Sequence, residues 1–79
     1  MKKSEIVLGH TYTNGKGRIR KVIAEGAEYR CSDFALDYDC IRYEVVDDGT
    51  KKNRTAGQQF NMTRRAFAQW AKTDYGKGF

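Results

Sequence analysis

The chain has 79 residues with one Trp, five Tyr, four Phe, eight Gly and no Pro, and carries a formal net charge of +5. A domain this small buries only about 60% of the surface its unfolded chain exposes, so the composition excludes two separate cores and a deeply enclosed active site. It also excludes a helical membrane anchor, because no stretch approaches the roughly 18 consecutive apolar residues that one requires.

The apolar part of "MKKSEIVLGH" is only Ile6 to Leu8. That is shorter than the ~7 residues of a signal-peptide h-region, so the expectation is an intracellular protein. Charge is segregated along the chain. Residues 1–21 carry six cations and one acid, residues 22–50 two cations and eight acids, and residues 51–79 seven cations and one acid. A basic, acidic, basic order points to a folded domain with faces of opposite potential, not to a uniformly basic tail.

One domain is expected over 1–79, with an ordered core over about 5–73. In chain order, "EIVLGHTY" reads as a short first strand interrupted at Gly9. "NGKG" follows, and Asn-Gly is a hairpin signal because both residues tolerate positive φ. Arg18 to Glu25, "RIRKVIAE", is a second strand whose inward phase starts at Ile19 and slips toward Val22, which predicts a bulge or bend near Lys21. "AEYRCS" is open to a third strand, and "DFALDYD" reads as an acidic loop. "CIRYEVVDDG" is the clearest strand, with Ile41, Tyr43 and Val45 on one face, Arg42 and Glu44 on the other, and an Asp-Gly turn at its end. "TKKNRTAGQQF" is a basic connection that ends in a short strand at "GQQFNM". The period then changes: Phe67, Trp70, Ala71 and Asp74 are spaced i, i+3, i+4, i+7, which predicts a helix of about three turns with Thr63 as N-cap and Gly76 as stop. The terminal "YGKGF" has only its two aromatics to anchor it. Four or five strands with one C-terminal helix imply an α+β fold, a small SH3-like antiparallel β-barrel or roll.

Catalytic and metal chemistries find little support. His10 is the only histidine, so a Cys-His or Ser-His pair has no other imidazole to use. Cys31, Cys40 and His10 match no zinc spacing, and two free thiols are the expectation in a reducing compartment. Asp33, Asp37 and Asp39 lack the glycine and terminal Glu of a calcium loop and read as a solvated acidic patch, a secondary contact surface for a basic partner. Gly15 and Gly17 give only G-x-G ahead of a strand, so neither a Walker loop nor a dinucleotide cradle is present. No cofactor or metal is expected, and the reading is non-enzymatic.

What remains is a cationic surface: Lys16, Arg18, Arg20 and Lys21 on the first hairpin, Lys51, Lys52 and Arg54 on the later connection, and Arg64 and Arg65 at the helix start. Cations beside free helix N–H groups make an anion site for a phosphate or a carboxylate. The plainer alternative is that the two arginines extend into water or pair with the acidic middle segment. Tyr29, Phe34 and Tyr38, in and beside the acidic segment, are available for a dimer interface.

With "GHTYTNGKGRIRKVI", "DCIRYEVV" and "TRRAFAQWAK" in view, residues 7–72 resemble a group of small bacteriophage and prophage proteins. These share a G-x-x-Y-x-N-x-x-G-x-x-R-x-V opening, a D-C-x-R-Y-E-V strand and a T-R-x-x-F-A-x-W-A ending. The resemblance implies phage origin and a host bacterial cytoplasm. It further implies an accessory protein that binds and inhibits a host defence complex, of the anti-CRISPR type, through the basic surface. The alternative is a nucleic-acid-binding module serving phage replication or regulation, and a virion assembly factor is a third reading.

Overall fold

The two longest strands form the spine of the molecule. In this computed structural model, which describes residues 1–77, β2 (Arg18–Glu25) and β3 (Cys40–Asp48) pair antiparallel at the centre of a five-stranded sheet. β1 (Thr11–Thr13) and β4 (Gln59–Thr63) flank them, and β5 (Thr73–Gly76) adds to β1, giving the order β4-β3-β2-β1-β5. Every adjacent pair is antiparallel. α1 (Arg64–Trp70) follows β4 directly and crosses one face of the sheet.

The α+β class is as expected, but the barrel is not closed. β4 and β5 lie at opposite edges, and the short helix that joins them covers the sheet face instead of bringing the edges together. The first strand is also shorter than the sequence suggests. Lys3–Glu5 form a 3₁₀ turn, and pairing begins only at Thr11. Tyr12 explains the path: its buried hydroxyl donates to the Glu5 carbonyl (2.6 Å) and accepts from the Val7 N–H (2.7 Å), pinning the N-terminal segment over the core. Ala27–Tyr29 form a second 3₁₀ turn, so the strand to which "AEYRCS" is open does not form, and the chain then runs irregularly to β3.

The first hairpin closes differently from a two-residue Asn-Gly turn. Positive φ falls on Gly15 (79°) and Gly17 (87°), not on Asn14. The Asn14 side chain closes the turn instead, its Oδ1 accepting from the Lys16 N–H (2.9 Å) and the Arg18 N–H (3.3 Å). The expected irregularity near Lys21 is a pair of register shifts, between Ile19 and Arg20 and between Val22 and Ala24. They skip Val46 on β3 and Ile23 on β2 and leave Lys21 paired with Glu44 between them.

The core lies between one sheet face and α1. Tyr12, Val22, Ile41, Tyr43 and Val45 point inward from the strands, and Phe67, Ala68 and Ala71 meet them from the helix. Phe67 is 0% exposed and sits edge-on to Tyr12 at 5.4 Å, with Tyr43 at 5.8 Å and Trp70 at 5.2 Å. Its burial stabilises the fold by about 1.5–3 kcal/mol. Thr63 is the N-cap, its Oγ1 accepting from the Ala66 N–H at 3.1 Å. The helix nevertheless ends at Trp70, not at Gly76. The Ala71 backbone is extended and the Lys72 N–H donates to Thr13 O (2.8 Å), starting β5 on the free edge of β1. The apolar stripe stops at Ala71, and Thr73 and Asp74 bring nothing to a helix that the β1 edge does not offer more strongly. Among the described residues, no helix is long and apolar enough to cross a membrane. The terminal anchoring expected of Tyr75 and Phe79 rests in part on Phe79, which lies outside the described residues.

Candidate functional site: a cationic tip

The nine predicted cations divide among three places. Lys16, Arg18, Lys51, Lys52 and Arg54 gather at one end of the sheet and are all exposed. Arg18 opens β2 opposite Asp48 at the end of β3, so the first hairpin and the β3–β4 loop leave the sheet side by side. The loops touch at Gly17 and Gly49. A Cβ on Gly17 would meet the Gly49 Cα at 3.6 Å, and one on Gly49 would meet the Arg18 Cγ at 3.1 Å. Both glycines have positive φ, near 87° and 80°, so this close approach of two backbones depends on them.

Asp48 organises the β3–β4 loop. One carboxylate oxygen accepts from the Thr50 N–H (2.9 Å) and the Thr50 hydroxyl (2.5 Å). The other accepts from the N–H and hydroxyl of Thr55, both at 3.1 Å. These bonds, those from Thr50 foremost, hold the Asp48 carboxyl far below the usual carboxylate range. Asn53, at φ 46°, braces the loop from inside by accepting from the Asp48 N–H (2.8 Å) and donating to Val46 O (3.3 Å). Asp47 accepts from the Gly49 N–H (2.9 Å). The acids nearest the tip are thus committed to loop donors. Among the described residues, no tip cation has an ion-pair partner; the ion pairs present join Lys3 and Asp39, His10 and Asp74, and Arg64 with Glu25 and Asp39.

Beside the tip, a groove of about 390 Å³ opens between Arg18, Arg20 and Phe60, with Tyr43 and Val45 in its depth. Phe60 is 42% exposed and lies 5.8 Å from the Tyr43 ring.

Arg20 and Lys21 are not part of the tip's free charge. The Arg20 guanidinium is stacked over Tyr43 (4.5 Å) and Trp70 (4.2 Å), and burial pulls its pKa down. Its Nη1 is buried with no hydrogen-bond partner among the described residues, and the ring faces supply the compensation. Lys21 is half-buried in mid-strand, opposite Glu44 and Thr11.

Arg64 and Arg65 lie at the far end of β3, since Thr63 pairs with Cys40 and Arg18 with Asp48. Nine residues at ~3.3 Å per step put roughly 26 Å between the ends of β3. Arg64 turns inward, donating from Nε to Asp39 Oδ1 (2.8 Å), from Nη1 to the Ile6 carbonyl and from Nη2 to Glu25. Burial works against its charge, yet the two carboxylates hold its pKa above the ordinary value. The Arg64 N–H donates to Asp39 O (2.8 Å) and the Ala66 N–H to Thr63, so this seven-residue helix start is already engaged from within. The expectation of an anion site formed by Arg64 and Arg65 gives way to internal pairing, with only Arg65 exposed.

The acidic patch also divides. Asp33 is exposed, Asp37 accepts from the Asp39 N–H (3.0 Å), and Asp39 is taken by Arg64 and Lys3. Cys31 and Cys40 are free thiols, the first exposed and the second buried. His10 Nδ1 lies 2.9 Å from the Asp74 carboxylate and ties β5 to the residue that leads into β1. Phe60 and the Asp48–Thr50–Thr55 network were not singled out from sequence. "DDGT" carried a signal for the network, since Asp before Gly and Thr favours side-chain-closed turns.

Comparison of the chain with protein-family models, with curated proteins and with solved structures finds no match.

Proposed function

We propose that the protein is a non-enzymatic binding module that docks its cationic tip onto an anionic surface of a partner protein. The observation that carries this reading is the contrast in pairing. Lys16, Arg18, Lys51, Lys52 and Arg54 project from a braced pair of loops with no ion-pair partner among the described residues, while Asp47 and Asp48 are turned to loop donors. The five cations outnumber these two carboxylates, so the tip keeps a net positive field that attracts an external anion and steers its approach. Together with the phage resemblance, this favours a host defence complex, such as a CRISPR effector, as the target. A basic inhibitor does not imitate DNA; it occupies an acid-rimmed cleft of the effector. The test is a tagged pull-down from bacterial lysate read by mass spectrometry. Charge reversal at Lys51, Lys52 and Arg54 is expected to lose the host protein, and its retention by that variant overturns the reading.

A second reading, nucleic-acid binding, is favoured by one observation: exposed Phe60 lines a groove with Arg18, an aromatic face beside a guanidinium. It predicts affinity that falls steeply with salt and a shallower salt slope when tip cations are removed. No binding of DNA or RNA at low salt removes it.

A further inference from the structure

The loop 31–39 stands at the end of β3 opposite the tip and carries two apolar side chains almost wholly in water, Phe34 at 92% and Leu36 at 90% exposure. The loop is held in shape. The Arg30 guanidinium stacks over the Tyr38 ring at 4.5 Å and donates to Ala35 O at 3.5 Å. The Ala35 N–H donates to Ser32 O (3.1 Å), and the Cys40 Sγ–H to Asp37 O (3.3 Å). Phe34 and Leu36 are therefore presented outward on a bonded frame, flanked by Asp33 and Asp37, as an acidic knob with an apolar tip. Paired apolar side chains held out in this way mark an interaction surface.

The groove beside the cationic tip is its complement. Tyr43, Val45 and Phe60 give it apolar walls, Arg18 and Arg20 line it together with Asp47 and Asp48, and Lys51, Lys52 and Arg54 of the adjoining loop make its surroundings net positive. Asp47 and Asp48 accept bonds from the loop's own donors and sit on the loop side of the groove, where the five cations outnumber them.

We infer that copies of this chain associate knob to groove: Phe34 and Leu36 of one copy enter the groove of a second, with Asp33 and Asp37 facing its cations. The two surfaces are alike in apolarity and opposite in net charge. They lie at opposite ends of β3, so no chain satisfies its own groove, and the contact is heterologous. Two inserted side chains bury well under the ~1,000 Å² of a stable interface, so the association is weak and rises with concentration. Its charged flanks make it salt-sensitive.

Sedimentation velocity on the full chain tests this without any other partner, so its outcome is independent of the pull-down. The expected result is an average mass that grows with protein concentration at low salt and falls at high salt. Phe34→Ser with Leu36→Ser, and separately Phe60→Glu, each weaken association by about tenfold or more. An equimolar mixture of the two variants forms a 1:1 complex, because each retains the surface the other lacks. Circular dichroism checks that both fold, and Lys51→Glu with Lys52→Glu, at exposed loop positions, replaces Phe60→Glu if that variant does not. A wild type that stays monomeric at every concentration, association untouched by the knob variant, or a mixture that remains two monomers overturns the inference.

Discussion

Arg64 and the tip cations are the same chemistry in opposite circumstances. At the helix-start end, one guanidinium bridges Asp39, Glu25 and the Ile6 carbonyl, joining four separate segments of chain. At the tip, five cations have no ion-pair partner among the described residues, while Asp48 and Asp47 hold loop donors. Where a carboxylate is left over, the cation becomes part of the fold; where the carboxylates are occupied, it stays available to a partner. Position in the hydrogen-bond network, not residue type, separates the two roles.

The largest expected effect on stability is at Arg64. Arg64→Ala removes charge-assisted bonds and leaves the Ile6 carbonyl without its donor, at a cost of about 2 kcal/mol, read as a lower urea midpoint. Arg64→Lys is expected to recover only part, since an ammonium does not fork to three acceptors. If the same variant also abolished partner capture while remaining folded, the contrast between the two ends would fail.

Arg20 is next. Arg20→Lys keeps the charge but loses the planar stack on Tyr43 and Trp70, at about 1 kcal/mol by chemical denaturation. An unchanged midpoint would return Arg20 to the surface group that the sequence suggested.

A pH series sharpens the comparison further. The bond from Arg64 is the main reason the Asp39 carboxyl titrates below its usual range. Its contribution is complete above the ordinary carboxylate value of ~3.9 and is lost as pH falls through the depressed folded value. Arg64→Ala should therefore flatten the acid limb of stability against pH, and NMR titration of Asp39 should show its pKa moving up.

The smallest effects on stability belong to the tip. Lys51→Ala, Lys52→Ala and Arg54→Ala should each stay within ~0.5 kcal/mol of wild type while weakening partner binding. Asp48→Ala separates charge from presentation. It makes the tip more positive, so a purely coulombic site would bind an anionic partner more tightly. A site that depends on the Thr50 and Thr55 bonds would bind less tightly, which is the expected result from isothermal titration.

Much of the fold was legible because its signals are local. Alternation marked Ile41, Tyr43 and Val45 as one buried face, the boundaries of β2 fell at flanking glycines, and Thr63 read as an N-cap from its place before a helical stripe. The helix was read too long because the four residues at Thr73–Gly76 are weak in either state, and a free strand edge beside β1 decides them. The candidate site was half legible: every cation of the tip was named, but so were Arg20 and Arg64.

A small α+β domain, a segregated charge, and a helical stripe that carries Phe67 and Trp70 could all be read without coordinates. Those conclusions rest on composition and on periods of two and 3.6 residues, which act over a few neighbours. That "TNGKGRIRK" meets "DDGTKKNRT" at one end and parts from Arg64 and Arg65 by the length of β3 came from the folded chain alone. The fold also decided which acids answer which cations. Pairing across 25 or 39 positions, as Arg64 does with Asp39 and Glu25, depends on strand register, and no local pattern encodes it.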